Sequence, residues 1–264
     1  MTPARGKELI LQQLAAGDAE PVLVADFPAF SVTPRLSELL GARAEGRPVY
    51  QIDPLGALSQ DRLYLPLSEL AAAYADAFLS CAPADGRVFV VGHCSAAALS
   101  LHIAKLLASA REVTAILLRP TWPGEENIRT LFAEFQANLG AANRPCPDLD
   151  RDPCRAVARM AQILRDEMIA VAVSRGLGES TDAFSDLLAW YRAWLAFLLA
   201  CRNDSPISWV TEAAAVKVLT DAPAGVAVPG LSPDAYHISR LPILDQEAAT
   251  PELAEFVLAQ IASR

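Results

Sequence analysis

One cysteine of this chain stands where its thiol could do chemistry. Residues 90–97 read VVGHCSAA. The apolar run Arg87 to Val91 has the composition of a buried strand, and the small residues after Cys94 open a helix over 95–109. When a strand turns directly into a helix, the residue at the turn is held in a strained backbone conformation, and its neighbours two positions either side must be small. Gly92 and Ala96 meet that demand for Cys94. The free N–H groups and dipole at the start of the helix favour a thiolate and an oxyanion. The chemistry implied is nucleophilic attack by sulfur on an acyl carbon. Two other readings stand beside it. A shift by one makes Ser95 the nucleophile, with His93 and Ala97 as its less suitable neighbours. Alternatively, Cys94 is a small buried residue and nothing more.

Positioning such a turn takes strands alternating with helices, and the chain has that pattern. Strands are expected at Pro21 to Asp26, Pro48 to Ile52, Arg87 to Val91 and Val113 to Leu118. Between them the sequence predicts helices from Leu36 to Gly41 and from Glu69 to Ser80, the latter capped by Ser68. An amphipathic helix is expected over Glu8 to Leu14. Asp53-Pro54-Leu55-Gly56 stops the second strand, and 27–31 forms a loop after the first. This alternation implies βαβ units and a mainly parallel sheet, an α/β fold. From 124 to about 205 the periods are helical, notably at Ala156 to Ile169 and Phe184 to Leu199, and we read a helical insertion, a lid, within a single domain spanning 1–264. All four tryptophans fall between Trp122 and Trp209. Strand character returns at Ala215 to Leu219 and Ala235 to Leu241. A last helix runs from Glu252 to Ile261, with Thr250 as N-cap and Pro251 at its first position.

Composition narrows the function. The chain has 264 residues, 53% apolar and 20% charged, ample for a buried core. A net charge of -9 argues against nucleic acid as a partner. The N-terminus has no apolar segment of the secretory kind, and the longest apolar stretch, Trp194 to Cys201, is too short to span a membrane. A cytoplasmic protein is expected. The five cysteines include no CxxC pair and no zinc spacing, so no metal is expected.

Several segments, in order, carry a resemblance. VLVADFP at 22–28 resembles the opening strand and oxyanion loop of the thioesterases of nonribosomal peptide and polyketide synthesis, members of the α/β-hydrolase superfamily. VYQIDPLG at 49–56, LSELAAAY at 67–74 and the turn at 87–97 resemble further segments of that family. The resemblance covers residues 20–120 and is faint beyond 124. It implies an α/β-hydrolase fold and an acyl or peptidyl group delivered on the phosphopantetheine arm of a carrier protein, with no cofactor of the enzyme's own. It implies Cys94 as nucleophile, in place of the usual serine. The oxyanion would be held by the backbone N–H of Ser95 and one from the loop at Ala29 and Phe30, where the glycine pair of many relatives is missing. The acid position directly after the strand following the turn falls on Leu118-Arg119-Pro120, without a carboxylate. The later position falls on Asp221, the acid candidate. Of three histidines, His93 should point away from the nucleophile and His102 lies on the following helix. His237, near the last strand and helix, is the candidate base. Counted back from the last helix, however, the family's histidine position falls nearer Ile243.

Cysteine changes the energetics. An acyl-cysteine is itself a thioester, so exchange with a pantetheine thiol is nearly isoenergetic, and a thiolate needs less help from a base than an alkoxide does. Three activities remain open: hydrolysis or cyclisation of the acyl group, its transfer to another carrier or an amine, and carrier binding by a fold that has lost its catalysis.

Overall fold

Apolar strands buried on both faces order the structure. The computed structural model describes residues 11–27, 34–59, 63–82, 86–140, 144–176, 184–204, 214–221, 226–241 and 249–263. Strands β1 (Leu11–Ala15), β2 (Val22–Ala25), β3 (Val49–Ile52), β4 (Arg87–His93), β5 (Glu112–Leu118), β6 (Ala214–Thr220) and β7 (His237–Arg240) form one sheet in the order β1-β3-β2-β4-β5-β6-β7. Only β1 is antiparallel to its neighbour. Every residue of β2 and β3 is buried, as expected of parallel strands covered on both faces.

The helices are α1 (Leu36–Arg43), α2 (Pro54–Ser59), α3 (Leu67–Cys81), α4 (Ala96–Leu107), α5 (Glu125–Asn138), α6 (Pro153–Ser174), α7 (Ser185–Asn203) and α8 (Pro251–Ala262). The chain divides into two compact units. One comprises Met1–Pro54, Ser68–Thr121 and Ser205–Arg264; the other comprises Leu55–Leu67 and Trp122–Asp204. In the first, α1 and α8 cover one face of the sheet. Leu36 and Leu40 of α1 and Leu253, Val257 and Ile261 of α8 join Val24, Val91, Ile116 and Leu118 in one core. Thr250 caps α8 as expected, its Oγ1 accepting from the Leu253 N–H at 3.2 Å. On α3, Phe78 meets Tyr50 of β3 edge-on, with ring centres 5.5 Å apart. The Arg111 guanidinium lies 5.0 Å from the Phe78 ring centre.

The helical unit holds α5, α6 and α7. Phe135 stacks on Tyr191 at 3.9 Å, and Trp190 on Trp194 at 5.6 Å. Arg192 donates to the carbonyls of Leu58 (3.3 Å) and Ser59 (2.7 Å), which ties the segment at 55–67 to α7. Arg202 of α7 pairs with Glu125 (3.3 Å) and Asp150 (2.5 Å). Among the described residues no helix is long and apolar enough to cross a membrane.

Four local expectations are corrected. The helix expected over Glu8 to Leu14 is, from Leu11 on, strand β1; residues 8–10 lie outside the described residues. Leu, Gln and Ala favour helix, but pairing with the otherwise open edge of β3 decides the segment. Helix α1 runs through Gly41 rather than ending there. A Cβ at Gly41 would sit 3.0 Å from the Leu14 Cβ, so this glycine serves the close passage of β1 across α1. The turn at Asp53-Pro54 ends β3 but also begins α2, with proline in the first turn, where its missing N–H costs nothing. The final strand is shorter than expected, because Pro233–Ala235 form a 3-10 turn.

Tyr74 of α3 is fully buried and donates its hydroxyl to the Asp53 carbonyl at 2.7 Å, holding α3 to the end of β3. Tyr74→Phe should lower stability by about 1–2 kcal/mol, the cost of a lost buried hydrogen bond, read as a shift in the urea midpoint at unchanged m-value.

Candidate active site

The sequence makes Cys94 the pivot between β4 and α4, and its backbone takes the conformation that such a turn requires. Its φ is +51°; among the described residues the other non-glycine residues with positive φ are Glu45 and Arg119. Ser95 is instead right-handed (φ −67°), stands at the N-cap of α4 and is buried, whereas Cys94 is half-buried. The turn is therefore centred on Cys94 and not on Ser95. Small residues make it possible. A Cβ on Gly92 would come within 2.5 Å of Ser100 Oγ and 2.8 Å of the Ala97 Cα. The Cys94 N–H donates to the Leu118 carbonyl (3.0 Å). The Cys94 carbonyl accepts from the N–H groups of Ala97 (3.1 Å) and Thr121 (3.3 Å).

Topology adds a second argument. From β2 the chain crosses to β3 on one side, and from β4 it crosses to β5 on the other, so the sheet reverses direction between the neighbours β2 and β4. Crevices at the carboxyl ends of strands form at such a switch point. Cys94 ends β4 at this place, and the loop expected to carry oxyanion donors follows β2. Its candidates Ala29 and Phe30 lie outside the described residues.

The strand register decides which other candidates share the edge. His93 is level with Leu118, Leu118 with Leu219, and Leu219 with Ser239. Asp221 follows Thr220, the end of β6, and so stands at the same carboxyl edge as Cys94. Its half-exposed carboxylate lies 3.6 Å from the Arg119 Nε. His237 does not reach the edge. It opens β7, is exposed, and pairs with Lys217, two residues before the His93 level. Three strand spacings and three residues along the strand put its Cα about 17 Å from that of Cys94. The register thus holds His237, the candidate base, inside the sheet rather than at the edge where Cys94 stands. Ile243 lies outside the described residues and is in any case not titratable.

The same register brings in groups that motif reading did not select. One residue beyond the pair Ala25 and Gly92, the ends of β2 and β4 carry Asp26 and His93 side by side. Each has a buried side-chain atom without a hydrogen-bond partner, Asp26 Oδ1 and His93 Nε2. Asp26 Oδ2 accepts from the Ser37 N–H at 2.8 Å, and Ser37 Oγ accepts from Gln51 at 2.6 Å. Burial pushes the Asp26 carboxyl up to about 6, against the opposing pull of the Ser37 bonds and Arg35. Burial, and secondly the charge of Arg119, push His93 down to about 4, so it is a neutral imidazole at pH 7. The signal available in the sequence was a charged residue at the carboxyl end of an apolar strand, which holds for Asp26 and for Arg119. A cleft of about 650 Å³ in the helical unit, lined by Glu126, Arg129, Arg144 and Cys146 among others, contains none of the predicted site residues.

Comparisons with known proteins bear on the fold. No protein-family profile matches the chain, and no curated protein sequence does. Solved structures do. Over 97% of its length the chain superposes on holo-AB3403, a four-domain nonribosomal peptide synthetase bound to AMP and glycine, with a TM-score of 0.62 and 16% identity; it spans 20% of that protein. It covers 99% of the NocB thioesterase domain of the nocardicin cluster, with a TM-score of 0.57 and 15% identity over 96% of this chain. A protein assigned to the α/β-hydrolase family from Desulfitobacterium hafniense aligns over 96% of this chain and 98% of its own, with a TM-score of 0.50 and 14% identity.

The fold is that of an α/β-hydrolase.

Two outcomes test the site as described. Gly92→Ala should destabilise the protein by about 1–3 kcal/mol, because α4 has no room to retreat from the turn, and a urea titration reads it. Asp26 gives a pH signature. Its folded pKa lies above the unfolded value of 3.8, so the folded state holds the proton more tightly. Stability should then fall as pH rises from about 4 to about 6 and stay level above that. The drop should be about 2–3 kcal/mol and absent in Asp26→Asn, as unfolding midpoints at pH 4.5 and 7 will show.

Proposed function

We propose that this α/β-hydrolase takes an acyl or peptidyl group from the phosphopantetheine thioester of a carrier protein onto Cys94 and releases it by hydrolysis or cyclisation. The observation that carries the reading is the left-handed backbone of Cys94 at the β4–α4 turn, on a fold whose structural neighbours include thioesterase domains. The Cys94 thiolate attacks the thioester carbon, the new C–S bond forms, and the pantetheine sulfur leaves as a thiolate that takes up a proton from solvent. Ser95, at the N-terminus of α4, supplies a backbone N–H to the oxyanion, with the loop at Ala29 and Phe30 as the expected second donor. Water, or a hydroxyl or amine of the same chain, then displaces Cys94. In this reading Asp221 acts through Arg119 rather than through a histidine.

One observation favours a second outcome for the acyl-enzyme. The register holds His237, the candidate base, inside the sheet and three residues short of the Cys94 level. Water needs a general base to attack a thioester at neutral pH, while an incoming thiolate does not. The acyl group would then pass to another carrier thiol or to an amine, the acyltransferase alternative.

Intact-protein mass spectrometry after incubation with an acyl-pantetheine thioester tests both readings. The wild type should gain one acyl mass, Cys94→Ala should gain none, and His237→Ala should acylate as the wild type does. A short-lived adduct yielding free acid indicates hydrolysis; a long-lived one discharged by an added thiol or amine indicates transfer. A wild type that takes up no acyl group from any of several thioesters, while still binding the carrier, would leave carrier binding as the function.

A further inference from the structure

The amino edge of the sheet, opposite the Cys94 edge, holds a charge that the fold does not answer. Arg111 stands between the end of α4 and the start of β5, its backbone N–H donating to the Leu107 carbonyl at 3.0 Å. The residue is 8% exposed, yet its Nε and Nη1 are buried without a hydrogen-bond partner. Among the described residues no carboxylate pairs with it, and the next residue in the chain, Glu112, is taken by Arg87. An arginine cannot shed its proton to escape burial as a lysine can. Buried cations are normally paired and buried N–H groups hydrogen-bonded, so this exception asks for a reason.

Packing answers part of it. The Phe78 ring of α3 lies 5.0 Å from the Arg111 Cζ, a cation–π contact. Tyr50 of β3, 5% exposed, meets the same ring edge-on at 5.5 Å between centres. At the end of α3 the Cys81 thiol donates to the Phe78 carbonyl at 3.4 Å, and Cys81 is exposed, so the cluster opens to solvent there. Burial pushes the Tyr50 hydroxyl and the Cys81 thiol up, and the charge of Arg111 pulls against it in both. A guanidinium, a phenol and a thiol are thus gathered about one ring. All three can donate a hydrogen bond, and none carries a negative charge. A ring face offsets part of the cation's charge and leaves its N–H groups unmatched. What this set lacks is an acceptor with negative charge. A phosphate or carboxylate matches the guanidinium fork with two oxygens and would supply both.

We propose that Arg111 anchors an oxyanion-binding site at the amino edge of the sheet, which takes a small ligand bearing a phosphate or carboxylate group, whether or not Cys94 is the nucleophile. Tyr50, Phe78, Cys81 and Arg111 all belong to the unit that holds the sheet.

Cys81 reports on the site. Its alkylation by iodoacetamide at about pH 7.5 is followed by peptide mass spectrometry, with the exposed Cys154 of α6 as internal reference. Inorganic phosphate or acetate, raised to about 50 mM against chloride at constant ionic strength, should slow Cys81 about threefold relative to Cys154, because an anion on Arg111 neutralises the cation that favours the thiolate. Slowing by phosphate alone assigns the site to phosphoryl groups, and slowing by acetate alone assigns it to carboxylates; either supports the proposal. In Arg111→Gln the anion effect should vanish. The proposal is overturned if neither anion changes the rate of Cys81 relative to Cys154, or if the slowing persists in Arg111→Gln. Should Arg111→Gln fail to fold, Arg111→Lys keeps the charge and loses the fork. Half-maximal slowing should then need at least about fivefold more anion, and an unchanged requirement overturns the proposal as well.

Discussion

The structure of the site depends on how closely α4 passes behind the end of β4. Strand and helix can meet only if nothing larger than hydrogen stands at Gly92, where any Cβ would overlap Ala97 and Ser100. That approach forces Cys94 into the left-handed region and brings the start of α4 directly to it. The strain is offset by three backbone hydrogen bonds at Cys94, two of them from the strand end next door. The small residues that fill α4 (Ala96, Ala97, Ala98, Ser100 and Ala104, all buried) serve this contact. A helix of ordinary bulk would stand off from the sheet and release the turn.

Charge is distributed unevenly along the edge that this turn opens. Asp26 and His93 end the two strands at the switch point, each with a buried atom that no protein group satisfies, and burial drives both toward their neutral forms. Across β5, Arg119 pairs with Asp221 near solvent. A thiol ionises near neutrality without a strong base, whereas a serine hydroxyl does not.

The architecture was largely legible in the residues. The parallel strands are continuous apolar runs and the helices between them carry clear periods, so buried area alone specifies them. The elbow was legible because its steric demand is local: small, any, nucleophile, any, small. The acid candidate Asp221 stands at a strand end, a position visible in sequence. The base was not recoverable in this way. His237 sits in a strand, and a shift of two or three positions along a strand leaves composition unchanged while moving a side chain by about 7–10 Å.

By itself, then, the sequence determined the α/β class, the order of the elements and the residue at the pivot of the strand-to-helix turn, since each follows from burial or sterics within a few neighbouring positions. Tertiary structure alone decided which titratable groups meet. Segment 11–15 became a strand because an open edge was there to pair with, and His237 was kept from Cys94 by register across four strands. Leu118 and Thr121 came to Cys94 through hydrogen bonds between β4 and the end of β5. These are relations between residues far apart in the chain, and their energies arise only once the sheet has assembled.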